Sequence, residues 1–151
     1  GDWYAPYVAF AKRYGIANGY LDGTFRPEQP VSRAELVKLI ASYFTVEGGT
    51  SPFPDVPDGH WAAEVVSFAA EEGWVSGYPD GTFRPDAPVS RAEAVKILNH
   101  ALDRRAGERA AALPFTDVEK GHWACDEIRE AAVSHIYRKS GEGETWLTYE
   151  R

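Results

Sequence analysis

The apolar residues of this chain recur at helical spacing in five stretches, and the stretches themselves repeat. The apolar positions 3, 7, 10 and 11 of the first stretch return 58 residues later at 61, 65, 68 and 69. Helices are predicted over residues 3–14 (with Asp2 as N-cap), over 32–44, from Asp58 or His60 onward, over 90–105, and up to about His135. Predicted apolar faces are Leu36, Leu39, Ile40 and Tyr43 in the second helix, Ala94, Ile97, Leu98 and Ala101 in the fourth, and Trp123, Ile128, Ala131 and Ala132 in the fifth.

A nearly identical segment stands between the helices of the first two repeats. Residues 19–35 read GYLDGTFRPEQPVSRAE and residues 77–93 read GYPDGTFRPDAPVSRAE. The Asp-Gly dipeptide predicts a tight turn, and the two prolines keep the chain extended until the following valine. Ser-x-x-Glu then predicts a capping box that opens a helix, formed by Ser32 with Glu35 and by Ser90 with Glu93.

A third repeat begins but does not finish. Residues 115–124 align with residues 53–62, whereas residues 136–151 contain neither the Asp-Gly turn nor the capping box. Within them, residues 145–149 alternate weakly and predict either a short strand or irregular packing. The layout is therefore three repeats at about 1–50, 51–112 and 113–151, with a looser, partly helical link over 106–113. Repeats of this size bury their apolar faces only by packing together around a common axis.

An arginine follows the capping serine in both complete repeats. Arg33 and Arg91 fall at the first helical position, where a cation opposes the helix dipole, so the charge is expected to serve another purpose. One interpretation is an anion site, because a guanidinium beside exposed helix amides suits a carboxylate or phosphate. The other is an exposed ion pair with a nearby aspartate. Lys38 and Lys96 add positive charge to each repeat.

Composition narrows the function classes. The chain has 151 residues, 44% hydrophobic and 26% charged, which is ordinary for a folded domain. A net charge of -7 argues against general binding to nucleic acid or to an anionic membrane. The single cysteine, Cys125, excludes an internal disulfide and is expected to be a buried structural thiol. A start at Gly1 and the lack of any methionine favour a fragment of a longer protein, and no apolar run is long enough to span a membrane.

These motifs closely resemble the S-layer homology (SLH) domain family. The family pattern appears as FPDV at 53–56 with HWA at 60–62, GYPDGTFRP at 77–85, and VSRAE at 89–93. The resemblance covers nearly all of residues 1–135. It implies a mainly α fold with three SLH modules, the third atypical, arranged with pseudo-threefold symmetry around a central helical bundle. It also implies an extracellular protein at the bacterial cell wall or S-layer and a monomer, with no cofactor or metal.

The resemblance further implies a ligand. Modules of this family bind secondary cell-wall polysaccharide without catalysis, typically through pyruvylated N-acetylmannosamine, and the motif arginine pairs with the pyruvate carboxylate. This favours the anion-site interpretation of both arginines, and two competent half-sites are expected because the third repeat lacks its arginine. The ligand-binding residues that it implies are Arg33, Arg91, Trp3, Trp61, Trp123, Gly19 and Gly77, and their positive charge adds Lys38 and Lys96 to this set. On spacing alone the tryptophans fit core packing better, and the glycines fit a requirement for positive φ.

Three rival functions have weaker support. A glycosidase needs two carboxylates in different environments, whereas Asp22 with Asp80 and Glu35 with Glu93 are duplicates in matching surroundings. The Asp-Gly-Thr turns share only part of a calcium loop. A structural or self-associating repeat without a sugar site leaves the paired arginines unexplained. His60 and His122 fit capping or packing better than catalysis.

Overall fold

The computed structural model describes residues 1–104, 113–140 and 143–149. These residues are mainly helical, as the sequence predicts, with the extended segments and turns between the helices. The predicted link over 106–113 lies outside the described residues except for Leu113, which is not helical. The elements are α1 (Ala5–Arg13), α2 (Arg33–Ala41), α3 (Ala63–Glu71), α4 (Arg91–Ala101), α5 (Cys125–Ala132), β1 (His135–Ser140) and β2 (Gly143–Tyr149).

The two predicted capping boxes are confirmed. At α2 the Ser32 hydroxyl accepts from the Glu35 amide at 3.3 Å, and the Glu35 carboxylate accepts from the Ser32 amide at 2.8 Å. Ser90 and Glu93 open α4 with the same two bonds, at 3.2 and 2.9 Å. Each box satisfies helix amides that would otherwise lack a partner, which fixes where both helices begin.

The start of α1 differs from the prediction. Its N-cap is Tyr4, without a side-chain cap, and Asp2 instead accepts a hydrogen bond from the Tyr4 hydroxyl. Pro6 lies in the first turn, the only place where a helix tolerates its missing amide proton. The proline therefore sets the beginning of this helix, and Asp2 lies too far upstream to cap it.

The described residues group into two compact units. Unit 1 consists of Gly1–Glu71 and Ser76–Val89, and unit 2 of Glu72–Val75 and Ser90–Arg151. In unit 1, α2 packs against α3; in unit 2, α4 packs against α5. Each capped helix thus packs on the first helix of the following sequence repeat.

The core of unit 1 joins the first repeat to the second. Val37 from α2, Val66 from α3 and Phe83 from the second turn segment are fully buried. The Phe53 ring lies 5.4 Å from that of Phe83, and the Asp55 carboxylate accepts from the amides of Phe83 and Arg84 at 2.9 and 2.7 Å. The FPDV motif therefore holds the turn of its own repeat.

In unit 2, α5 buries charged side chains where apolar residues were predicted. In α5 the buried residues are Cys125, Arg129 and Glu130, so the prediction that Trp123, Ala131 and Ala132 face inward is wrong. Glu130 is buried because its carboxylate accepts from Arg104 at 2.8 Å and from the Trp146 indole at 3.0 Å, and lies 3.0 Å from His135. These bonds offset the cost of burying a charged side chain.

A hairpin occupies the place of the missing second helix in the third repeat. The strands β1 and β2 pair antiparallel, with a register shift between Ile136 and Tyr137. Of the two alternatives for residues 145–149, the strand is the one that forms, as part of β2, whereas its partner β1 was not predicted. In the capped helices, Tyr43 and Leu98 are exposed although they were placed on apolar faces, while Ile40, Ile97 and Ala101 are buried as predicted.

Candidate functional site

Two equivalent lysine–tryptophan pairs bring together residues that the sequence marks as ligand-binding. The Lys38 ammonium lies 5.2 Å from the centre of the Trp61 ring in unit 1, and Lys96 lies 5.9 Å from Trp123 in unit 2. Both tryptophans are more than half exposed, at 53% and 59%, so core packing is the wrong interpretation for them. An ammonium over an indole face is a cation–π contact, and here it lies at the surface.

The histidine before each tryptophan orders the turn from which the indole projects. His60 Nδ1 accepts from the Ala62 amide at 3.1 Å, and His122 Nδ1 accepts from the Ala124 amide at 3.2 Å. In both repeats the imidazole and indole rings are 5.6 Å apart at 30°. The histidines therefore act in capping and packing, as the sequence predicts.

The lysine–tryptophan pairing was not predicted. Lysine and tryptophan come from successive repeats, and they meet only because α2 packs on α3 and α4 packs on α5.

Arg33 is buried, whereas the anion site and the exposed ion pair considered for it both require an accessible guanidinium. It is only 6% exposed; its Nε donates to the Phe83 carbonyl at 3.0 Å, and its guanidinium lies 4.8 Å from the Tyr78 ring and 5.0 Å from the Phe83 ring. Its own amide donates to the Ala87 carbonyl at 3.0 Å. Arg33 therefore fastens the first capped helix to the turn segment of the second repeat.

Arg91 differs from its counterpart, because its side chain is exposed. It stands at the first position of α4, on the helix that also carries Lys96. The third repeat lacks the turn segment that would occupy the place of Tyr78 and Phe83. The two arginines therefore differ in burial, although the motifs in which they stand are identical.

The two predicted glycines lie against other protein atoms. Gly19 and Gly77 have φ of 80° and 69°, so the requirement for positive φ is confirmed. A Cβ at Gly19 would lie 2.7 Å from the Thr24 carbonyl oxygen, and one at Gly77 would lie 2.5 Å from the Phe53 ring. These close approaches account for both glycines. Trp3 is 80% exposed, and within unit 1 neither α2 nor α3 packs on its helix.

The Asp-Gly-Thr-Phe-Arg turns are locked by their own side chains. Asp80 accepts from the Thr82 amide and hydroxyl at 3.0 and 2.6 Å and from Arg84 at 2.8 Å, and Asp22 makes the matching bonds to Thr24 and Arg26. The bonds from threonine, together with those from arginine, hold the pKa of both carboxyl groups well below the usual range. Because the carboxylate oxygens already accept these hydrogen bonds, few of their lone pairs remain to coordinate a calcium ion.

Other candidate chemistry has no assembled site in the described part of the chain. Cys125 is buried and accepts from Arg129 at 3.3 Å, which fits the predicted structural thiol. No group of three or more histidine, cysteine or acidic side chains is placed to hold a metal among the residues described. Among these residues, no helix combines the length and the apolar character needed to cross a bilayer. The surface hollow beside His135 and the one beside Gly48 contain none of the predicted ligand residues.

Comparison with known proteins agrees with this description. A profile of the S-layer homology domain matches residues 1–37 and 52–95, together more than half of the chain. Cell surface glycoprotein 1 of Acetivibrio thermocellus is 35% identical over 96% of the chain and 7% of its own length. The cellulosome-anchoring protein of the same organism is 34% identical over 94% and 33%, and S-layer protein EA1 of Bacillus anthracis is 40% identical over 70% and 13%. The chain thus spans a third or less of these relatives.

Proposed function

The chain belongs to the S-layer homology domain family, and from this premise we propose that it anchors an exported protein to the bacterial cell wall by binding cell-wall polysaccharide. The relatives carry the names of surface, S-layer and anchoring proteins, which supports an extracellular location at the wall. The observation that carries the proposal is the exposed lysine–tryptophan pair, built twice at equivalent places.

The pairs have the chemistry that an anionic glycan needs. An indole face covers the apolar face of a sugar ring, and an ammonium beside it attracts a carboxylate. Arg91 adds an exposed guanidinium to the helix of the second pair, where it can form a bidentate contact with a carboxylate. A ketal-pyruvylated N-acetylmannosamine, the ligand implied by the family resemblance, offers both the sugar face and the carboxylate.

Arg33 takes a different part in this proposal. Its guanidinium is committed to Phe83 and Tyr78, so the Lys38–Trp61 pair acts without an exposed arginine. We therefore expect two glycan sites of unequal strength. The site with Lys96, Trp123 and Arg91 is the one that depends on the pyruvate carboxylate.

The remaining features of the proposal follow the family resemblance. The three modules, at about 1–50, 51–112 and 113–151, would assemble with pseudo-threefold symmetry around a central helical bundle, as a monomer. Binding involves no catalytic step, because the duplicated carboxylates serve as turn locks and helix caps. Self-association without a sugar site is the second candidate, favoured by the exposed aromatic side chains of α1.

Calorimetric titration tests the proposal directly. The chain is titrated with a pyruvylated N-acetylmannosamine glycoside and, in parallel, with the same sugar without pyruvate. We expect tighter binding of the pyruvylated sugar, because the site with Arg91 depends on the pyruvate carboxylate. Equal affinity for both sugars would contradict a role for the carboxylate, and lack of binding to either would move the function toward another wall polymer or self-association.

Matched variants locate the site. Because Trp123 is exposed, Trp123→Ala should weaken binding without lowering the melting temperature, and Arg91→Ala should remove the preference for pyruvate. Trp74 is buried in the same unit and gives the contrasting variant Trp74→Ala. This variant should have a lower melting temperature, so that its loss of binding would accompany unfolding. Full affinity in both Trp123→Ala and Arg91→Ala would show that the site lies elsewhere.

A further inference from the structure

The first helix, together with the residues that flank it, carries a row of exposed aromatic side chains. They follow one another at helical spacing along one stripe of the helix, and this aromatic row consists of Trp3, Tyr7, Phe10 and Tyr14. The ring centres of Trp3 and Tyr7 lie 6.5 Å apart, and those of Phe10 and Tyr14 lie 4.5 Å apart. A contiguous exposed patch of this kind is uncommon on a protein surface and marks a place where another molecule binds.

The packing of helices in this fold does not account for the aromatic row. The same places around α3, 58 residues later, are held by Trp61, Val65, Phe68 and Glu72. These four residues stay exposed or half-exposed although α2 packs on α3, whereas the buried face of that segment contains Ala62, Val66 and Ala69. Since a valine and a glutamate stand in the places of Tyr7 and Tyr14, the fold itself requires no tyrosine at either position.

The corresponding face of the second repeat carries part of the proposed glycan site. Trp61, at the first place, is the indole whose ring centre lies 5.2 Å from the Lys38 ammonium. The first repeat also sets a cation against an aromatic ring, since the Arg13 guanidinium lies 5.9 Å from the centre of the Tyr14 ring, and Lys12 precedes it. The helix α1 contains no acidic residue, although the chain as a whole has a net charge of -7. One end of the aromatic row is therefore basic.

We propose that the aromatic row binds a stretch of several sugars within an anionic wall polysaccharide, as a site in addition to the lysine–tryptophan pairs. The row extends for about three helical turns, or roughly 16 Å, which exceeds the length of one sugar ring. Its rings cover the apolar faces of successive sugars, and the cations at its end attract the negative charges of the strand. Only the ligand class rests on the proposed function, because the row shares no residue with the two pairs.

Hydroxyl-radical footprinting tests the aromatic row residue by residue. The chain is oxidised alone and with the pyruvylated polysaccharide released from bacterial cell walls, and oxidation of each aromatic side chain is measured by mass spectrometry. We expect the polysaccharide to slow oxidation of Tyr7 and Tyr14 at least threefold. The control is Tyr43, which lies outside the row and is exposed to the same degree as Tyr7, 71% against 70%, and its oxidation should not change.

The footprint separates the aromatic row from the lysine–tryptophan pairs. Unchanged oxidation of Tyr7 and Tyr14 would overturn the proposal, even with Trp61 and Trp123 protected. Protection of Tyr7 and Tyr14 without protection of the two tryptophans would support it and would contradict the pairs as glycan sites. Equal protection of Tyr43 would overturn it too, because the polysaccharide would then bind any exposed ring.

Matched variants measure what the row contributes to affinity. The double variant Tyr7→Ser with Tyr14→Ser should bind the polysaccharide at least tenfold more weakly than the parent does. It should bind a pyruvylated N-acetylmannosamine glycoside as the parent does, because a single sugar does not need the row, and the control Tyr43→Ser should bind both ligands unchanged. Full affinity of the double variant for the polysaccharide would contradict the proposal. A lower melting temperature would contradict it as well, because the two side chains would then be part of the folded packing.

The cation at the end of the row has its own test. Arg13→Gln should weaken binding of the pyruvylated polysaccharide, but not of the same polymer after mild acid has removed its pyruvate. The exposed Lys120 of the third repeat gives the control Lys120→Gln, which should bind as the parent does. Equal losses with both polymers in Arg13→Gln would contradict recognition of the strand's negative charge.

Self-association is the other use that an exposed aromatic face can have. If the row bound a second copy of the chain, oxidation of Tyr7 and Tyr14 without polysaccharide would slow as the protein concentration rises. Analytical ultracentrifugation would then detect a dimer that the double variant does not form. We expect neither result, and such a dimer would overturn the proposal in favour of self-association.

Discussion

Arg33 and Arg91 show how one motif can serve two purposes within a single chain. Both follow a capping serine and precede Ala-Glu, but Arg33 is buried against Phe83 and Tyr78 whereas Arg91 is exposed. The difference comes from the repeat that is next along the chain in each case. The first capped helix meets a complete second turn segment, and the third repeat has no such segment to offer the second helix.

Removing these two side chains should therefore have different effects on stability. We expect Arg33→Ala to lower the free energy of unfolding by about 2 kcal/mol, because a buried hydrogen bond from a charged donor is lost and the Phe83 carbonyl is left without that donor. Arg91→Ala, at an exposed position, should change it by less than about 0.5 kcal/mol. Urea unfolding of both variants measures the change in the free energy of unfolding. An equal decrease in the two variants would contradict the role of Arg33 in holding the first capped helix to the second turn segment.

The residues of the candidate site were predictable from the sequence, but their surroundings were not. Tryptophan, lysine and arginine stood out because each recurs in a fixed place in the motif. Whether a tryptophan is core or surface depends on which helix covers its turn, and that helix belongs to the preceding repeat. Spacing within one repeat therefore favoured burial for Trp61 and Trp123, and the structure exposes both.

At the scale of the elements, local chemistry determined what could be predicted. Both capping boxes form as predicted because their partners lie three residues apart. The hairpin of β1 and β2 was half missed, since its first strand contains no turn signal. The buried Glu130 contacts both strands, through His135 of β1 and Trp146 of β2. Burial of the phenylalanine that begins the FPDV motif depends on the turn segment of its repeat. Phe53 is buried against Phe83 of that turn, whereas Phe115, at the matching place in the third repeat, is exposed.

Two glycines of the second turn segment separate backbone conformation from crowding. Gly77 and Gly81 both have positive φ, at 69° and 80°, but only Gly77 lies against other atoms. Gly81→Ala should cost about 1 kcal/mol for the left-handed conformation alone. Gly77→Ala should cost clearly more, because its Cβ would lie 2.5 Å from the Phe53 ring and 2.9 Å from the Thr82 oxygen. Chemical denaturation of the two variants compares them, and equal costs would contradict the role of the close approach.

At the scale of the whole molecule, packing between successive repeats organises each unit. Each unit contains the second helix of one repeat packed on the first helix of the next, so each unit draws on two adjacent repeats. The pattern of apolar residues predicted the repeats but not which helices pack together. A capped helix would use the same apolar positions on the first helix of its own repeat and on that of the next repeat. Among the described helices, α1 differs from the others in having no such neighbour within its unit.

The carboxylates that join these segments make stability depend on acid. Burial raises the pKa of Glu35 and Asp55, but backbone amide bonds to both, and the Tyr20 hydroxyl at Glu35, outweigh it, so both pKa values are lowered. A group whose pKa is lower in the folded state contributes stability that is fully present above its unfolded value, about 4 for these groups. That contribution is lost as the pH falls through the lower folded value.

We therefore expect the free energy of unfolding to be constant from pH 7 to about pH 5 and to fall steadily below about pH 4. Asp55→Asn should lower stability at pH 7 and flatten the acid dependence, because the amide keeps the shape of the carboxylate without its charge on the amides of Phe83 and Arg84. The exposed Asp86 gives the control Asp86→Asn, which should keep the acid dependence of the parent. Urea unfolding at several pH values measures all three proteins. An acid dependence in Asp55→Asn as steep as in the parent would show that the FPDV carboxylate is not what holds the second turn.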